Sequence, residues 1–358
     1  MKIADWSCSL VEVPTHSRLD TSYGSAEAVR PHVIARLVDD SGRVGLGEAS
    51  PLPFFTGETA ASIKLQLEQL FLPALVGRDP RDHDEIMAVL DHLLPENRSA
   101  KCAVDMALYD LRGHVLGQPV YHQLGGLRRP DGFRVTRAIG LLSLEETVRM
   151  AEHWVERGFH TLKLKIGPDP DGDVERIRAV RRAVPSDVRL RIDANGGYDV
   201  PTAVRVLGAL ADAVEYCEQP IPPWDLAGLH QIRAATGVRI TVDESVHTLR
   251  DLLRVVEARA ADALVIKLIK CGGLRAAEHL AAVAGAVGMP VVVVSPFETH
   301  VGAAAGVHLA LTLRPSPFAQ ELSIFTVEPR GPHTASAIQT NGDRILPPTA
   351  PGLGVTFE

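Results

Sequence analysis

The chain of 358 residues is 46% hydrophobic and 23% charged and carries a net charge of −7, which is ordinary for a globular protein of two domains or for one α/β barrel with additions. Its acidic balance argues against nucleic-acid binding through a general positive field, because phosphate recognition needs clustered Lys and Arg. No run of about 18 apolar residues predicts a membrane span, and no basic segment followed by an apolar run predicts a signal peptide.

The first third of the chain has the pattern of an α+β domain. Strands are predicted at Lys2–Val13, at His32–Val38 and at Val44–Ala49, and a glycine-containing turn joins the last two as in a hairpin. Apolar residues at three- and four-residue spacing predict a helix over Ser99–Leu116, and Gly117 ends it.

The pattern changes after residue 126, where short apolar runs alternate with amphipathic helices such as Asp173–Val184 and Val200–Leu210. The predicted strands are Arg134–Ile139, Thr161–Ile166, Arg189–Ile192, Ala213–Tyr216, Val238–Val242, Leu264–Ile269, Val291–Val294 and Ala319–Leu322. Alternating strands and helices indicate βαβ units with a parallel sheet, and about eight units is the number in a closed barrel. A doubly wound open sheet is the alternative, but the sequence offers no glycine-rich first turn for it.

One charged residue recurs near the C-terminal end of five successive predicted strands, each about one βα unit after the last: Lys165, Asp193, Glu218, Asp243 and Lys267. In a barrel these strand ends converge on the face that carries active sites. A single charged residue at a strand end is usually a solvated surface group. Five in register on apolar strands instead predict a site.

Three carboxylates that converge repel one another unless a cation neutralises them. Oxygen ligands without His or Cys suit Mg²⁺, with Mn²⁺ as a substitute. A small-molecule carboxylate bound there would have its charge offset, so that the neighbouring proton could be abstracted. Lys163 and Lys165 share one strand face, so one lysine is expected to lower the pKa of the other and make it a base, while Lys267 faces the site from the opposite side.

These residues resemble the enolase superfamily, and within it the muconate-lactonizing subgroup. The matching motifs are KLKIG (163–167), DANGGY (193–198), EQP (218–220), DES (243–245) and IKLIKCGG (266–273), with GEASP (47–51) and FTGET (55–59) in the first domain. The resemblance implies a modified TIM barrel, (β/α)₇β, over residues 129–325. It also implies an α+β capping domain over residues 1–128, with residues 326–358 packing back on it.

The resemblance implies that Asp193, Glu218 and Asp243 would bind Mg²⁺. It also implies that Lys165 and Lys267 would be the acid/base pair, with Lys163 assisting. Further residues implied to support the site or contact substrate are Asn195, Glu298, Glu321, Ser323, Tyr23, Phe54 and Thr56. The capping segments among them would close over the substrate. Related dipeptide epimerases have an Asp-x-Asp at the eighth strand, whereas this chain has Glu321-Leu322-Ser323.

The preferred reaction is racemisation or epimerisation of an amino-acid derivative, such as an N-acyl amino acid, a dipeptide or a proline-type compound. The alternatives are a muconate-type cycloisomerase and a dehydratase of a hydroxylated proline. A non-catalytic barrel would leave the lysines and acids without a role. The four cysteines form no CxxC pair, which fits a reducing cytoplasm, and a symmetric homo-oligomer is expected by analogy with the family.

Overall fold

The structure is a computed structural model that describes residues 1–14, 29–322 and 334–357. Within these ranges, no helix is both long and apolar enough to cross a membrane.

The chain begins with a three-stranded antiparallel sheet, β1 (Ile3–Pro14), β2 (Val29–Asp39) and β3 (Val44–Ala49), in that order. The helices that follow it are α1 (Pro53–Thr56), α2 (Ala60–Gln66), α3 (His83–Leu93) and α4 (Arg98–Leu116), with short helical turns at Leu67–Phe71, Pro73–Leu75 and Val120–His122. We refer to this region as the cap. It encloses an apolar core of its own, which includes Phe71, Leu90 and Leu108.

Helix α4 lies directly on strand β3. Gly45 and Gly47 make this approach possible. A Cβ atom at Gly45 would lie 2.2 Å from the Ala107 carbonyl oxygen, and one at Gly47 would lie 1.8 Å from the Ala103 carbonyl oxygen. Most residues of α4 are buried, including Asp105 and Asp110. Helix α4 therefore packs within the cap on one side and against the second part of the chain on the other.

The second part of the chain forms the predicted barrel of parallel strands. Seven parallel strands lie in chain order: β5 (Arg137–Ile139), β6 (Thr161–Lys165), β7 (Arg189–Asp193), β8 (Cys217–Glu218), β9 (Ile240–Val242), β10 (Ala263–Ile266) and β11 (Val291–Val293). The helices between and after them are α5 (Leu144–Glu156), α6 (Pro170–Ala183), α7 (Val200–Leu210), α8 (Leu226–Thr236), α9 (Leu249–Glu257), α10 (Leu268–Cys271), α11 (Leu274–Ala286) and α12 (His300–Thr312). Parallel bridges from Gln320 to Val135 and from Glu321 to Val294 close the ring at the position of the eighth strand.

Short antiparallel pairs complete the described chain: β4 (Phe133–Arg134) with β14 (Arg344–Ile345), β13 (Thr340–Asn341) with β14, and β12 (Thr334–Ser336) with β15 (Val355–Phe357). Inside the barrel, below the strand ends, a small apolar cluster fills the space: Tyr216, Ala263, Val265, Val292, Val294 and Phe318. The strand ends above this cluster carry the charged residues.

Several strand predictions differ from the structure. The segment predicted as a strand at Ala319–Leu322 forms only the two isolated bridges at Gln320 and Glu321. The segment Arg134–Ile139 divides between β4 and β5. The strand predicted at Ala213–Tyr216 starts later, because the amides of Ala213 and Val214 still bond to the Leu210 carbonyl at the end of α7. The strand predicted at Leu264–Ile269 stops at Ile266, because the residues after Lys267 turn into α10.

Candidate active site

The strand register places the predicted charged residues at one level of the barrel. Lys165 is directly opposite Asp193 across β6 and β7, and Asp193 is opposite Glu218 across β7 and β8. Asp243 and Lys267 directly follow β9 and β10. Because side chains alternate along a strand, these residues share the inner face of the barrel, and all of them are buried.

Lysines are concentrated here. The chain contains seven lysines, and four of them form ion pairs with the predicted carboxylates at this site: Lys163, Lys165, Lys267 and Lys270. Long amines are otherwise rarely buried unless they are paired. This concentration supports a site that uses amines, as the sequence predicted.

Lys165 is held by two oxygen atoms of the β7 segment. Its Nζ lies 2.6 Å from Oδ2 of Asp193 and donates a hydrogen bond of 2.8 Å to Oδ1 of Asn195. Asn195 has a positive φ of 45°, which Asn tolerates better than most residues. Its amide nitrogen Nδ2 donates to Glu244 at 3.1 Å. Asn195 therefore links Lys165 to the segment after β9.

Lys163 lies among three carboxylates. Its Nζ is 2.8 Å from Glu321, 3.1 Å from Glu218 and 3.2 Å from Asp193. Burial lowers the pKa of Lys163, but the three carboxylates raise it by a larger amount. The pKa of Lys163 therefore lies well above its ordinary value. The sequence led us to expect lysine pKa values lowered by a neighbouring lysine and a cation, and the chain's own residues produce the opposite direction at Lys163.

Lys267 enters from the other side of the site. Its Nζ pairs with Oδ2 of Asp243 and lies 4.0 Å from the centre of the Phe55 ring, which belongs to the cap. Burial lowers the pKa of Lys267, and Asp243 and Glu244 raise it above its ordinary value. Asp243 also accepts hydrogen bonds from Lys270 on its carbonyl and carboxylate oxygens.

The predicted carboxylates supply oxygen donors of the kind that bind a divalent cation. Among the described residues, no three acidic, His or Cys side chains lie close enough together to form a ready metal site, because each predicted ligand reaches a lysine instead. Yet Oε2 of Glu218 is buried without a hydrogen-bond partner. Burial raises the pKa of Glu218, and Lys163 lowers it. The negative charges of Asp193 and Asp243 add to the rise, so that the pKa lies well above its ordinary value. Buried oxygen atoms with uncompensated charge are what a hard cation such as Mg²⁺ neutralises, so the donor set fits.

The remaining predicted residues lie at different distances from this cluster. Glu298 is buried beside the seventh strand and accepts a hydrogen bond from Ser295, and burial raises its pKa to about 8. Phe54 is 57% exposed on α1, and the hydroxyl of Thr56 bonds within the same turn, to the Leu52 carbonyl oxygen at 3.4 Å. Tyr23 and Ser323 lie outside the described residues.

Sequence reasoning missed three residues of the site. Lys270 follows Lys267 by three residues and returns to Asp243 through one turn of α10. Glu244 directly follows Asp243 and meets Asn195. Phe55 reaches Lys267 from the cap. All three stand inside the motifs IKLIKCGG, DES and FTGET, and Phe55 lies between the predicted Phe54 and Thr56, so their proximity to assigned residues was the available signal.

Comparison with known proteins places the whole chain in one family. Residues 7–125 match the N-terminal domain of the mandelate racemase / muconate lactonizing enzyme family, and residues 146–358 match its enolase C-terminal domain-like part. The chain is 36% identical to the L-Ala-D/L-Glu epimerase of Bacillus subtilis, covering 99% of this chain and 97% of that protein. It is 33% identical to the N-succinyl-L-Arg/Lys racemase of Bacillus cereus, covering 87% and 85%.

A solved structure extends the likeness to three dimensions. The dipeptide epimerase of Enterococcus faecalis in complex with Mg and the dipeptide L-Leu-L-Tyr superposes with a TM-score of 0.93 at 30% identity, covering 99% of this chain and 100% of that one. Near-complete coverage in sequence and structure confirms the resemblance that the motifs indicated. The chain therefore belongs to the mandelate racemase/muconate lactonizing enzyme family of the enolase superfamily.

Proposed function

We propose that this isomerase racemises or epimerises the α-carbon of an amino-acid derivative, such as an N-acyl amino acid, a dipeptide or a proline-type compound. The observation that carries the proposal is the placement of a lysine on each side of the buried carboxylates. Lys165 contacts Asp193, Lys267 contacts Asp243, and the strand that carries Glu218 lies between them. Two amines on opposite sides of a bound α-carbon are what inversion of that carbon requires.

Asp193, Glu218 and Asp243 are the residues that would hold Mg²⁺ in this chain. When bound, the cation supplies positive charge that stabilises the negative charge developing on the substrate carboxylate. This assignment is supported by the buried, unpartnered oxygen of Glu218. Mg is present with a dipeptide in the structure of the Enterococcus faecalis relative.

The lysines perform the proton transfers. One lysine, as the neutral amine, takes the α-proton from one face, and the electron pair left on carbon delocalises into the carboxylate. The other lysine, as the ammonium ion, delivers a proton to the opposite face. The two lysines exchange roles when the opposite enantiomer is the substrate. Because one proton is removed and one is delivered, no other reactant is consumed. Asn195 keeps Lys165 on its face through the 2.8 Å hydrogen bond.

Glu321 bears on the substrate class within this proposal. Its carboxylate lies 2.8 Å from the buried amine of Lys163, which also pairs with Asp193 and Glu218. A free substrate ammonium group would have to share this acid with Lys163. An acylated nitrogen needs no such acid, which favours N-acyl amino acids over free dipeptides.

The test is a proton-exchange screen in D₂O. The protein with Mg²⁺ is incubated with N-succinyl-arginine, L-Ala-L-Glu, N-acyl prolines and cis,cis-muconate, and NMR follows α-deuterium and new products. We expect α-deuterium and both configurations from an amino-acid derivative, with EDTA abolishing both. A lactone from muconate, without α-exchange in any amino-acid derivative, would overturn the proposal.

Substitution of each lysine gives a sharper test. Lys165→Ala and Lys267→Ala should each lower interconversion of the enantiomers by about 10³-fold, which is within the range for losing a general acid or base. Each variant should still exchange the α-proton of the one enantiomer that its remaining lysine faces. If one substitution proves far milder than the other, a single lysine suffices and the two-base mechanism fails.

Muconate-type cycloisomerisation is the second candidate. Glu321 favours it, because muconate cycloisomerases resemble this chain in having Glu at that place. That reaction needs one lysine as an acid, so the two alanine variants distinguish it from racemisation.

Three narrower predictions accompany the proposal. Mn²⁺ should replace Mg²⁺, because both bind oxygen ligands. The chain should assemble as a symmetric homo-oligomer, which sedimentation of the purified protein tests. A cytoplasmic location is expected from its dispersed cysteines.

A further inference from the structure

Phe55 of the cap is in contact with the amine of Lys267. The ring centre lies 4.0 Å from Nζ, well within the distance over which an aromatic face attracts an ammonium group. Asp243 contacts the same Nζ from the barrel. The amine is thus held between a carboxylate below it and an aromatic ring from the cap.

The ring is fixed in this place by its neighbours. Leu52, at the start of α1, is 4% exposed and belongs to the main core, and Phe55 packs against the same core. The hydroxyl of Ser50 donates to the Pro296 carbonyl oxygen at 3.2 Å, which ties this segment to the seventh strand of the barrel. Helix α1 also packs on α10, the turn that begins directly after Lys267.

The two lysines of the proposed mechanism are held in different ways. Among the described residues, Lys165 donates hydrogen bonds to Asp193 and Asn195, which both belong to the barrel. Within the same ranges, Lys267 has one partner in the barrel, Asp243, and one in the cap, Phe55. A lysine side chain has four flexible torsions, and a base must lie within hydrogen-bond reach of the proton it transfers. Loss of the ring would therefore free one amine and not the other.

We infer that Phe55 is a positioning residue for Lys267, so that the cap controls proton transfer on one face of the substrate carbon only. The inference rests on the proposed function, because it assigns the two lysines to opposite faces. It makes the two directions of the proposed reaction unequal in their dependence on the cap. The cap supports proton abstraction from one enantiomer more than from the other.

The test places Phe55→Leu in two backgrounds. In Lys165→Ala, α-proton exchange of one enantiomer in D₂O depends on Lys267 alone. In Lys267→Ala, exchange of the other enantiomer depends on Lys165 alone. Phe55→Leu should slow the first exchange by about tenfold, as expected for loss of a cation–π contact shielded from water, and the second by less than about threefold. Equal slowing in both backgrounds would mean that the ring serves only general closure, and the inference would be wrong.

Two matched variants strengthen the design. Phe55→Tyr keeps the ring and should restore most of the Lys267-dependent exchange. Phe54→Leu removes the neighbouring ring, which lies 4.9 Å from that of Phe55 and is mostly exposed. It should affect both backgrounds alike. Selective slowing by Phe54→Leu equal to that by Phe55→Leu would contradict a specific role for Phe55.

A measurement without substrate separates this inference from the proposed function. In protein labelled with ¹³C at the lysine ε-carbon, the ring should shift the ε-CH₂ signal of Lys267, which is assigned by Lys267→Arg among seven lysines. Phe55→Leu should move that signal and Phe55→Tyr should not. An unmoved signal in Phe55→Leu overturns the inference even if the enzyme racemises. A moved signal, with no exchange in any tested compound, leaves the contact intact and refutes the proposed function.

Discussion

At the scale of single residues, Asp243 pairs with two buried lysines, Lys267 and Lys270. Burial raises the pKa of Asp243, but Lys267 and Lys270 lower it to about 2. Lys270 is 1% exposed and bonds to both the carbonyl and the carboxylate of Asp243. Lys270 therefore fixes the orientation of Asp243, whereas the proposed mechanism assigns proton transfer to Lys267.

Removing Lys270 should cost stability. Lys270→Met keeps the aliphatic volume but leaves Asp243 with one buried cation fewer, so we expect the free energy of unfolding to fall by about 3 kcal/mol, toward the lower end for a broken buried pair. Urea denaturation measures it. Lys64→Met is the matched control, because Lys64 forms a half-exposed pair with Glu68, and such surface pairs contribute little to stability. Equal losses in the two variants would show that Lys270 adds nothing to Asp243.

At the scale of elements, helices α11 and α12 of the barrel begin against carboxylates of the cap. Asp105 of α4 accepts hydrogen bonds from the amides of Leu274, at 2.5 Å, and of Arg275 at the start of α11. Glu48 of β3 accepts from the amides of Thr299, at 2.8 Å, and of Gly302 at the start of α12. The first amides of a helix lack partners within it and carry partial positive charge. The cap thus supplies acceptors for the first amides of two barrel helices.

The glycine before α11 is required by this arrangement. Gly273 has a φ of 120°, and a Cβ atom there would lie 2.3 Å from Oδ2 of Asp105. Gly273→Ala should lower the free energy of unfolding by about 3 kcal/mol or more, from backbone strain and the clash together. Gly285→Ala in the same helix meets nothing within 4 Å and should raise it by about 0.5–1 kcal/mol. Thermal unfolding of both variants tests this, and an equal change in the two variants would contradict a specific requirement for Gly273.

At the scale of the whole molecule, His308 joins three distant segments. It lies on α12, its Nδ1 accepts from the Tyr121 amide at 3.2 Å, and its Nε2 donates to the Leu353 carbonyl at 3.2 Å. Because an amide can only donate and a carbonyl can only accept, these partners fix the neutral tautomer. Burial lowers the pKa of His308 to about 4.

This geometry predicts acid sensitivity. The folded-state pKa lies below the unfolded value of 6.5, so neutral His308 contributes its full stability above pH 6.5. That contribution is lost as the pH falls from 6.5 towards 4, by up to about 3 kcal/mol. His308→Gln should flatten this part of the pH profile in urea unfolding, and His153→Gln, at an exposed position of α5, should not. If the free energy of unfolding of His308→Gln falls as steeply between pH 6.5 and 4 as that of the unchanged protein, another group causes the acid sensitivity.

The sequence by itself determined the barrel and the charged residues at its mouth. Parallel strands repeat once per βα unit and end on one face. The sequence spacing of Lys165, Asp193 and Glu218 therefore predicts that they lie close together. The same regularity hid the ends of strands, as at Ile266, because an apolar run does not reveal where it turns into a helix.

Only the tertiary structure decided which groups meet across the chain. Phe55 on Lys267, Glu48 on α12 and the three carboxylates around Lys163 are contacts between segments distant in sequence. No local periodicity encodes such contacts, since they depend on how the cap and the barrel pack. The same packing set the direction of the Lys163 pKa, because the charge of a buried amine follows its nearest neighbours in space and not those in sequence.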